Sequence, residues 1–477
     1  MRTSLSLPSG LVSAILLCMP ALSAGASNAA SAAQPTLVTY DVPRAALYTH
    51  HNDDFTVRVR VPGGRWQDLY EYNVRVDLDR PQDASMVYFD IAGPVEVSVQ
   101  KNNGDVRRVE VRPDSKGVRA TLVGNTAFLR LTRPAKLSIE FDGDRLHNLH
   151  LFANAIEASP PDPKDPNVIW FGPGVHTPPE ADKGVFRIPS NKIVYIAGGA
   201  LMNGPIVVRD AENVRILGHG IIDTPERGFE IAKARNVTID GPIVVNPKYY
   251  TVLCGQTSGL TVRNLKTFSA TPWSDGIDMM SCSHVRIDDV FLRTSDDSIA
   301  IYGHRWEYDG DGRDYLVTNS TLWADIAHPV NIGLHGNDKT PEILEDITFR
   351  NIDVLGHDED DRDYQGVMAI TDGDNNLVRN VLFEDIRVDN IEEGMLFNIR
   401  AVFNAKYSLA PGRGVENVTL RNVRFKGGNV NRPVIGGYST DRAVRRVTLE
   451  HVMIGGKPLK RSDIDIGPFV NGLVVKP

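Results

Sequence analysis

Apolar and polar residues alternate over several short stretches in the first third of the chain. The alternation runs through Phe55-Thr56-Val57-Arg58-Val59-Arg60-Val61, Tyr72-Asn73-Val74-Arg75-Val76-Asp77-Leu78 and Val95-Glu96-Val97-Ser98-Val99. It returns in Ala127-Phe128-Leu129-Arg130-Leu131 and Lys136-Leu137-Ser138-Ile139-Glu140-Phe141. A period of two puts every second side chain on one sheet face. Gly, Pro, Asn or Asp separate the runs, so residues 34–160 read as an antiparallel β-sandwich. The proline-rich stretch Ala158–Pro166 then reads as a linker.

Beyond the linker the pattern becomes an internal repeat. Units of the form Asn-Val-x-Ile recur as Asn213-Val214-Arg215-Ile216, Asn236-Val237-Thr238-Ile239, Gly259-Leu260-Thr261-Val262 and His284-Val285-Arg286-Ile287. These begin 23, 23 and 25 residues apart. Later copies start at Asp346, Asn380, Asn417 and Arg446, with wider gaps that imply longer loops. Each unit holds two or three short β-branched strands, and almost no helical periodicity lies between them. A doubly wound sheet would need such helices. The prediction for residues 167–477 is a right-handed parallel β-helix, its inward aliphatic residues stacked in ladders between coils. The chain is thus expected to be all-β, a sandwich followed by a β-helix. The Asn-x-Thr triplets at Asn236 and Asn417 fit strand propensity with Asn capping a turn better than glycosylation.

Residues 1–33 differ from the rest. Arg2 precedes the apolar run Leu11–Leu22, and small residues follow. This reads as a secretory signal peptide, too short in its apolar core to span a membrane. The expectation is a secreted or periplasmic protein with no membrane span. Of 477 residues, 42% are hydrophobic and 23% charged, and the net charge is −8. Lys and Arg form no extended run, which argues against a nucleic-acid partner. Removing the signal leaves Cys254 and Cys282, one repeat length apart. They are expected to be buried free thiols acting as small hydrophobes, with a disulfide between adjacent coils as the other reading. No CxxC or clustered-His pattern marks a metal site, and no cofactor is expected.

Against this frame two carboxylate clusters stand out. Trp273-Ser274-Asp275-Gly276-Ile277-Asp278 and Thr294-Ser295-Asp296-Asp297-Ser298-Ile299 place Asp275 and Asp296 21 residues apart, about one coil. Strands in a parallel sheet lie about 4.8 Å apart, so these carboxyl groups can come within about 5–9 Å. Inverting glycosidases hold acid and base roughly 6.5–9.5 Å apart, leaving room for a water. Crowding also raises the pKa of at least one acid. Elsewhere, Asp309–Asp314 has calcium-loop spacing only at its start and reads as a solvated acidic loop. His357–Asp363 reads as a charged loop at the edge of the cleft.

The same residues resemble a known family. Ser274–Asp278 looks like the Asn-Thr-Asp-Gly-x-Asp motif of family 28 glycoside hydrolases, the polygalacturonase group. Ser295–Ile301 is similar to their Gln-Asp-Asp-Cys-x-Ala-Ile. Ala327–Gly333 is similar to Gly-His-Gly-x-Ser-Ile-Gly, and Gln365–Thr371 falls where they have Asn-Gly-Val-Arg-Ile-Lys-Thr. The resemblance implies that Asp296 is the general acid, while Asp275 and Asp297 position and deprotonate the attacking water, giving inversion. It places His328 beside them, tuning protonation or holding substrate. Asp278, Trp273, His304 and Arg305 are the candidate substrate-binding residues.

Met368 and Ile370 stand where the family carries its Arg and Lys. Losing those cations disfavours a uronic acid substrate and favours a neutral glycan. A sandwich followed by a β-helix with an Asp triad also resembles family 49, the dextranase and isopullulanase group. The expected partner is a polysaccharide or oligosaccharide, with oligomeric state left open. Three other readings share the fold: a pectin hydrolase, a polysaccharide lyase, which would need Ca²⁺ or a basic catalytic centre, and a non-catalytic glycan-binding β-helix. The sandwich is expected either to bind glycan or to shield the open end of the β-helix.

Overall fold

The structure is a computed structural model that describes residues 36–427 and 430–477; the predicted signal segment lies outside the described residues. Two sheets form the N-terminal sandwich. One joins Thr36–Val38, Tyr72–Val76, Gln82–Ala92, Val109–Arg112, Ala135–Phe141 and Leu149–Ala155; the other joins Phe55–Arg60, Gln67–Asp68, Val95–Lys101, Ala120–Val123 and Thr126–Leu131. Pairing is antiparallel except between Leu149–Ala155 and Gln82–Ala92, which run parallel. Val57, Val59, Val97, Phe89, Leu137 and Leu151 fill the space between the sheets.

The parallel β-helix begins at Val168–Phe171, which pairs with Ile193–Ile196. A 21-stranded sheet winds through two of its sides and an 11-stranded parallel sheet forms the third. The repeat seen in the sequence is the register of the larger sheet. Ile216, Ile239, Val262, Ile287, Val317, Phe349, Phe383, Leu420 and Leu449 pair in succession, each one coil above the last. Their side chains run through the apolar interior.

The residue heading each unit is also explained. Asn213, Asn236, His284, Asp346, Asn380, Asn417 and Arg446 all have φ between +53° and +59°. Asn tolerates this left-handed conformation. Its amide also bonds coil to coil, from Asn236 to Asn213 at 3.2 Å and from Asn417 to Asn380 at 2.9 Å.

Cys254 and Cys282 form a disulfide, with Cα atoms 6.6 Å apart and both residues fully buried. The free-thiol expectation is therefore wrong. Cys254 lies in Val252–Gly255 and Cys282 just beyond the next strand, Ile277–Met280, which brings the two sulfurs together inside the coil.

The sandwich does not cap an end of the β-helix. Its outer face, including Tyr72, Val74, Val76, Met86, Tyr88 and Phe152, packs along the flank against Leu201, Ile221, Ile243, Phe268, Phe291, Trp323 and Leu355. Polar ties run the length of this seam. They include His219–Asp90 at 2.8 Å, Lys266–Asn154 at 3.0 Å and Ser115–Asp353 at 2.6 Å. Arg293 lies at its centre, fully buried, clamping Asp325 with two hydrogen bonds of 2.8 and 3.0 Å and lying 3.8 Å over the Trp323 ring.

Candidate active site

The 11-stranded sheet has an apolar inner face and a more polar outer one. Ile277, Ile299, Val330, Met368 and Phe397 point inward into the core. Their neighbours Asp278, Ala300, Asn331, Ala369 and Asn398 form one outward rung, paired strand to strand. The carboxylate clusters occupy the turns that enter this sheet. Asp275 precedes Ile277–Met280, Asp296 and Asp297 precede Ile299–Tyr302, and His328 precedes Val330–Ile332. Successive turns are bonded through their backbones: Gly276 N–H to Asp297 O at 2.8 Å, and Ser298 N–H to His328 O at 2.7 Å. Gly276 is needed here because a Cβ would meet the Ser298 carbonyl at 2.2 Å.

This stacking brings Asp275, Asp296 and Asp297 together, with one oxygen of each within 4.8 Å of the others. They form the one set of three ligand-type side chains among the described residues close enough to bracket a cation. The spacing is tighter than the 5–9 Å expected from coil geometry.

The three acids differ in environment. Asp297 accepts four hydrogen bonds: His328 Nδ1 at 2.7 Å and His328 N–H at 3.1 Å on Oδ1, with Asn331 Nδ2 at 2.7 Å and Tyr302 OH at 3.2 Å on Oδ2. Burial works against its charge, but His328 and Asn331 outweigh it and hold the pKa below the usual value. Asp296 accepts the N–H groups of Asp297 at 3.0 Å and Trp273 at 3.1 Å. Burial and the Asp297 charge push its pKa up to about 7. Asp275 is 5% exposed and accepts no side-chain hydrogen bond from the described residues. Burial, then Asp278, Asp296 and Asp297, raise its pKa well above the ordinary value.

Asp278 is fully buried, and neither of its oxygens has a hydrogen-bond partner among the described residues. The Tyr250 hydroxyl and the Arg305 guanidinium act on it electrostatically, yet burial and the Asp297 charge prevail and raise its pKa well above the carboxylate range.

His328 is fully buried and bonds Asp297 through both its ring and its backbone N–H. Its Nε2 donates to the Tyr364 carbonyl, and the Tyr364 ring meets it edge-on at 4.3 Å. Burial would lower its pKa, but Asp297 holds it at about 9, so the ring is an imidazolium at neutral pH.

Trp273 is 62% exposed beside Asp296. Arg305 lies 5.2 Å from the exposed Trp306 ring, and Arg227 faces the same ring from 5.6 Å. The Nε atoms of both arginines, and Nδ1 of His304, are buried without hydrogen-bond partners among the described residues.

Residues not singled out in the sequence complete the site: Asn331, Tyr302 and Tyr364 around Asp297, and Tyr250 beside Asp278. Asn331 was visible as a polar residue between inward Val330 and Ile332 on an acid-bearing sheet. Tyr364 comes from an irregular loop and gave no such sign.

The register of one motif needs correction. Met368 and Ile370, aligned above with the family's cations, both point into the core. The outward positions of that strand are Ala369 and Thr371, which are also uncharged. A cation stands opposite Thr371 one coil on, Arg400, whose Nε bonds Asn398 at 2.8 Å while Nη2 donates to the Asp363 carbonyl. The acidic loop His357–Asp363 divides between two sides. Asp363 meets Arg400, whereas Asp358 lies near Asp77, Asp79 and Glu392, and burial with those charges pushes its pKa up to about 7.

The Asp309–Asp314 loop is tied down by protein partners, with Asp311 accepting Ile343 N–H at 2.8 Å and Asp314 accepting Arg286 at 2.8 and 2.9 Å. No helix among the described residues is long and apolar enough to cross a membrane.

The model of glycosyl hydrolases family 28 matches residues 199–464, more than half of the chain. The chain belongs to this family. The family 28 region contains both acid-bearing turns, His328 and the strand Met368–Asp372, and leaves the sandwich outside it. A probable polygalacturonase of Arabidopsis thaliana is 23% identical over 190 residues, 40% of this chain and 34% of that protein, so the match spans about a third of that relative. Among solved structures, Dex49A from Penicillium minioluteum superposes with a TM-score of 0.61 at 15% identity, over 87% of this chain and 93% of that one. The two share their fold. The family 28 exopolygalacturonase of Yersinia enterocolitica matches with a TM-score of 0.49 at 11% identity, over 85% and 98% of the two chains.

Proposed function

We propose that this family 28 protein is an exported, inverting glycoside hydrolase acting on a polysaccharide or oligosaccharide of mainly neutral sugars. The observation that carries the reading is the unequal ionisation of three crowded acids. Asp296, with its pKa pushed up to about 7, keeps a proton for the leaving oxygen. Asp297 is fixed as the anion that keeps it there. All four of its lone-pair directions are engaged by protein donors, which makes it a poor nucleophile and a poor base. Asp275 accepts no side-chain hydrogen bond from the described residues, so its oxygens are open to the attacking water, and in its ionised form it is the group that takes the water's proton.

In this scheme the water's oxygen bonds the anomeric carbon and the glycosidic C–O bond breaks. The leaving oxygen takes the Asp296 proton as Asp275 receives one from the water. Spacing within 4.8 Å is shorter than the roughly 6.5–9.5 Å of opposed inverting pairs and nearer that of a nucleophile pair. Asp275 and Asp296, however, stand side by side in stacked turns that enter one sheet. A carboxylate there cannot attack from behind while its neighbour protonates the leaving group, whereas a water can extend its reach. NMR of the first-formed anomer decides the point; a retained configuration defeats the water mechanism. Asp296→Asn is expected to lower kcat by about 10²–10⁴ with the fold intact, and unchanged turnover would exclude Asp296 as the acid.

The neutral-sugar preference rests on the strand Met368–Asp372, where Met368, Ala369, Ile370 and Thr371 offer no cation in place of the family's Arg and Lys. A carboxylated glycan is the second reading, favoured by the free Nε–H groups of Arg227 and Arg305 beside Trp306. Comparing turnover of dextran, pullulan, arabinan and galactan with that of polygalacturonate separates them.

A further inference from the structure

Two serines that belong to neither acid cluster's chemistry connect both clusters. Ser269 Oγ donates to the carbonyl of Ser274, the residue before Asp275, at 2.6 Å. It also accepts the N–H of Ser295, the residue before Asp296, at 3.1 Å. Ser295 Oγ returns the contact, donating to the Ser269 carbonyl at 2.9 Å. Each hydroxyl thus has one donor and one acceptor partner, and Ser269, Ser274 and Ser295 are all fully buried. The donor partner of the Ser295 hydroxyl is the Leu78 N–H at 3.0 Å, which comes from the N-terminal sandwich.

The sandwich loop that delivers this N–H is itself braced. Asp77 has φ +60° and is 4% exposed, and its Oδ1 caps the N–H groups of Asp79 and Arg80 at 3.0 Å each. Its own N–H donates to Asp325 Oδ2 at 3.2 Å, the carboxylate held by Arg293. Arg293 also bonds Asn148 Oδ1 of the sandwich at 3.0 Å. A continuous run of buried hydrogen bonds therefore leads from the sandwich through Ser295 and Ser269 to the backbone of both acid-bearing turns.

We propose that Ser269 and Ser295 are positioning residues that fix the spacing of Asp275 from the Asp296–Asp297 pair, and that the sandwich completes the active site through the Asp77–Arg80 loop. The proposal rests on the hydrolase reading only for its kinetic consequence, since the spacing itself can be measured without turnover. Both acids sit in turns joined by one backbone bond, Gly276 N–H to the Asp297 carbonyl, and a hydroxyl bonded to both turns adds a second tie that removes a relative degree of freedom. Misplacement by about 1 Å at a reacting centre can cost on the order of 10²-fold in rate. The sandwich then acts as structural support for the chemistry, in contrast to a separate glycan-binding module.

The test compares Ser269→Ala, Ser269→Thr, Asp77→Gly and Asp77→Asn in the full chain. Glycine keeps the positive φ at position 77 but loses the caps; asparagine keeps both. Two readouts are taken. The first is kcat and KM on whichever glycan the wild type turns over. The second is the titration of the Asp296 carboxyl by ¹³C NMR, assigned by difference from Asp296→Asn. Ser269→Ala is expected to lower kcat by about 10–100-fold with KM little changed, and to bring the Asp296 titration down as the charges separate. Ser269→Thr and Asp77→Asn should restore both values, while Asp77→Gly should show a smaller form of the Ala effect. A wild-type titration midpoint in folded Ser269→Ala overturns the relay, whatever the activity. If Ser269→Ala does not fold, a wild-type midpoint in Asp77→Gly overturns the sandwich's part in it. A shifted titration in a protein that hydrolyses no glycan would support the relay and sink the hydrolase reading.

Discussion

Asp297→Asn removes one negative charge from beside the proposed acid and leaves a side chain of the same shape. Two quantities size the effect on Asp296. Its pKa rises from 3.8 to about 7, an elevation worth roughly 4 kcal/mol at 1.36 kcal/mol per pH unit. Burial is the larger cause and Asp297 the next, with the Asp297 and Trp273 N–H groups and the His328 charge working against both; a share of about half for the Asp297 charge is ~2 kcal/mol. Coulomb's law gives the same order: unit charges 4.8 Å apart, the outer limit of this cluster, interact by about 3.5 kcal/mol at an effective dielectric near 20. Losing a neighbouring anion favours the ionised form, so the Asp296 pKa falls by about 1.5 units, toward 5.5. A general acid works only while protonated, and the alkaline limb of kcat/KM should move down with it, from near pH 7. The assay is reducing-sugar release against pH for wild type and variant, with thermal melting as a control for folding. A limb that stays at 7, or moves up, would refute the assignment of Asp297 as the charge that keeps Asp296 protonated.

His328→Ala leaves the Asp297 anion buried and uncompensated, a loss expected to destabilise by about 3–5 kcal/mol. The His328 pKa is raised to about 9 in the fold from 6.5, so its contribution is fully present below pH 6.5 and is lost as pH rises through 9. Asp297 is held below 3.8, so its share is present above 3.8 and is lost only as pH falls through the depressed value. Urea unfolding of wild type and variant should therefore differ most between about pH 4 and 6.5 and converge above 9; a constant difference at pH 10 would contradict the ion pair. Arg293→Ala strips the buried Asp325 of its cation and should cost a similar ~3–5 kcal/mol. The same substitution should loosen the seam between sandwich and β-helix, read as faster amide exchange at Asp77 and Leu78; unchanged exchange there would separate Arg293 from the loop.

The β-helix was readable because its signal repeats. One inward rung from Ile216 to Leu449 shows in the sequence as a recurring apolar position, and the Asn or Asp ahead of it marks the same left-handed turn in coil after coil. The acid clusters were readable for the same reason: one coil of spacing fixes which turns stack. Facing was harder to read. In Gln365–Thr371 every residue from Val367 to Ile370 is apolar, so nothing in the pattern shows that Met368 and Ile370 point inward and Ala369 outward. The neighbouring strands supply that information, through the pairing of Ala369 with Asn331 and Asn398. Cys254 and Cys282 posed the same difficulty, because proximity in the coil depends on a turn whose shape no short pattern encodes.

The sandwich shows why its role was hidden. Its two unpredicted long strands, Gln82–Ala92 and Leu149–Ala155, are buried on both faces. Val87, Phe89 and Ile91 face the partner sheet while Met86 and Tyr88 face the β-helix. A strand covered on two sides loses the alternation that marks a half-exposed one. The missing alternation was thus itself a sign of a third layer: a sheet in a free sandwich domain keeps one wet face, and this one does not. That second apolar face is what seats the Asp77–Arg80 loop against Ser295 and Asp325. The property that concealed these strands in the sequence is the one that joins the sandwich to the acids.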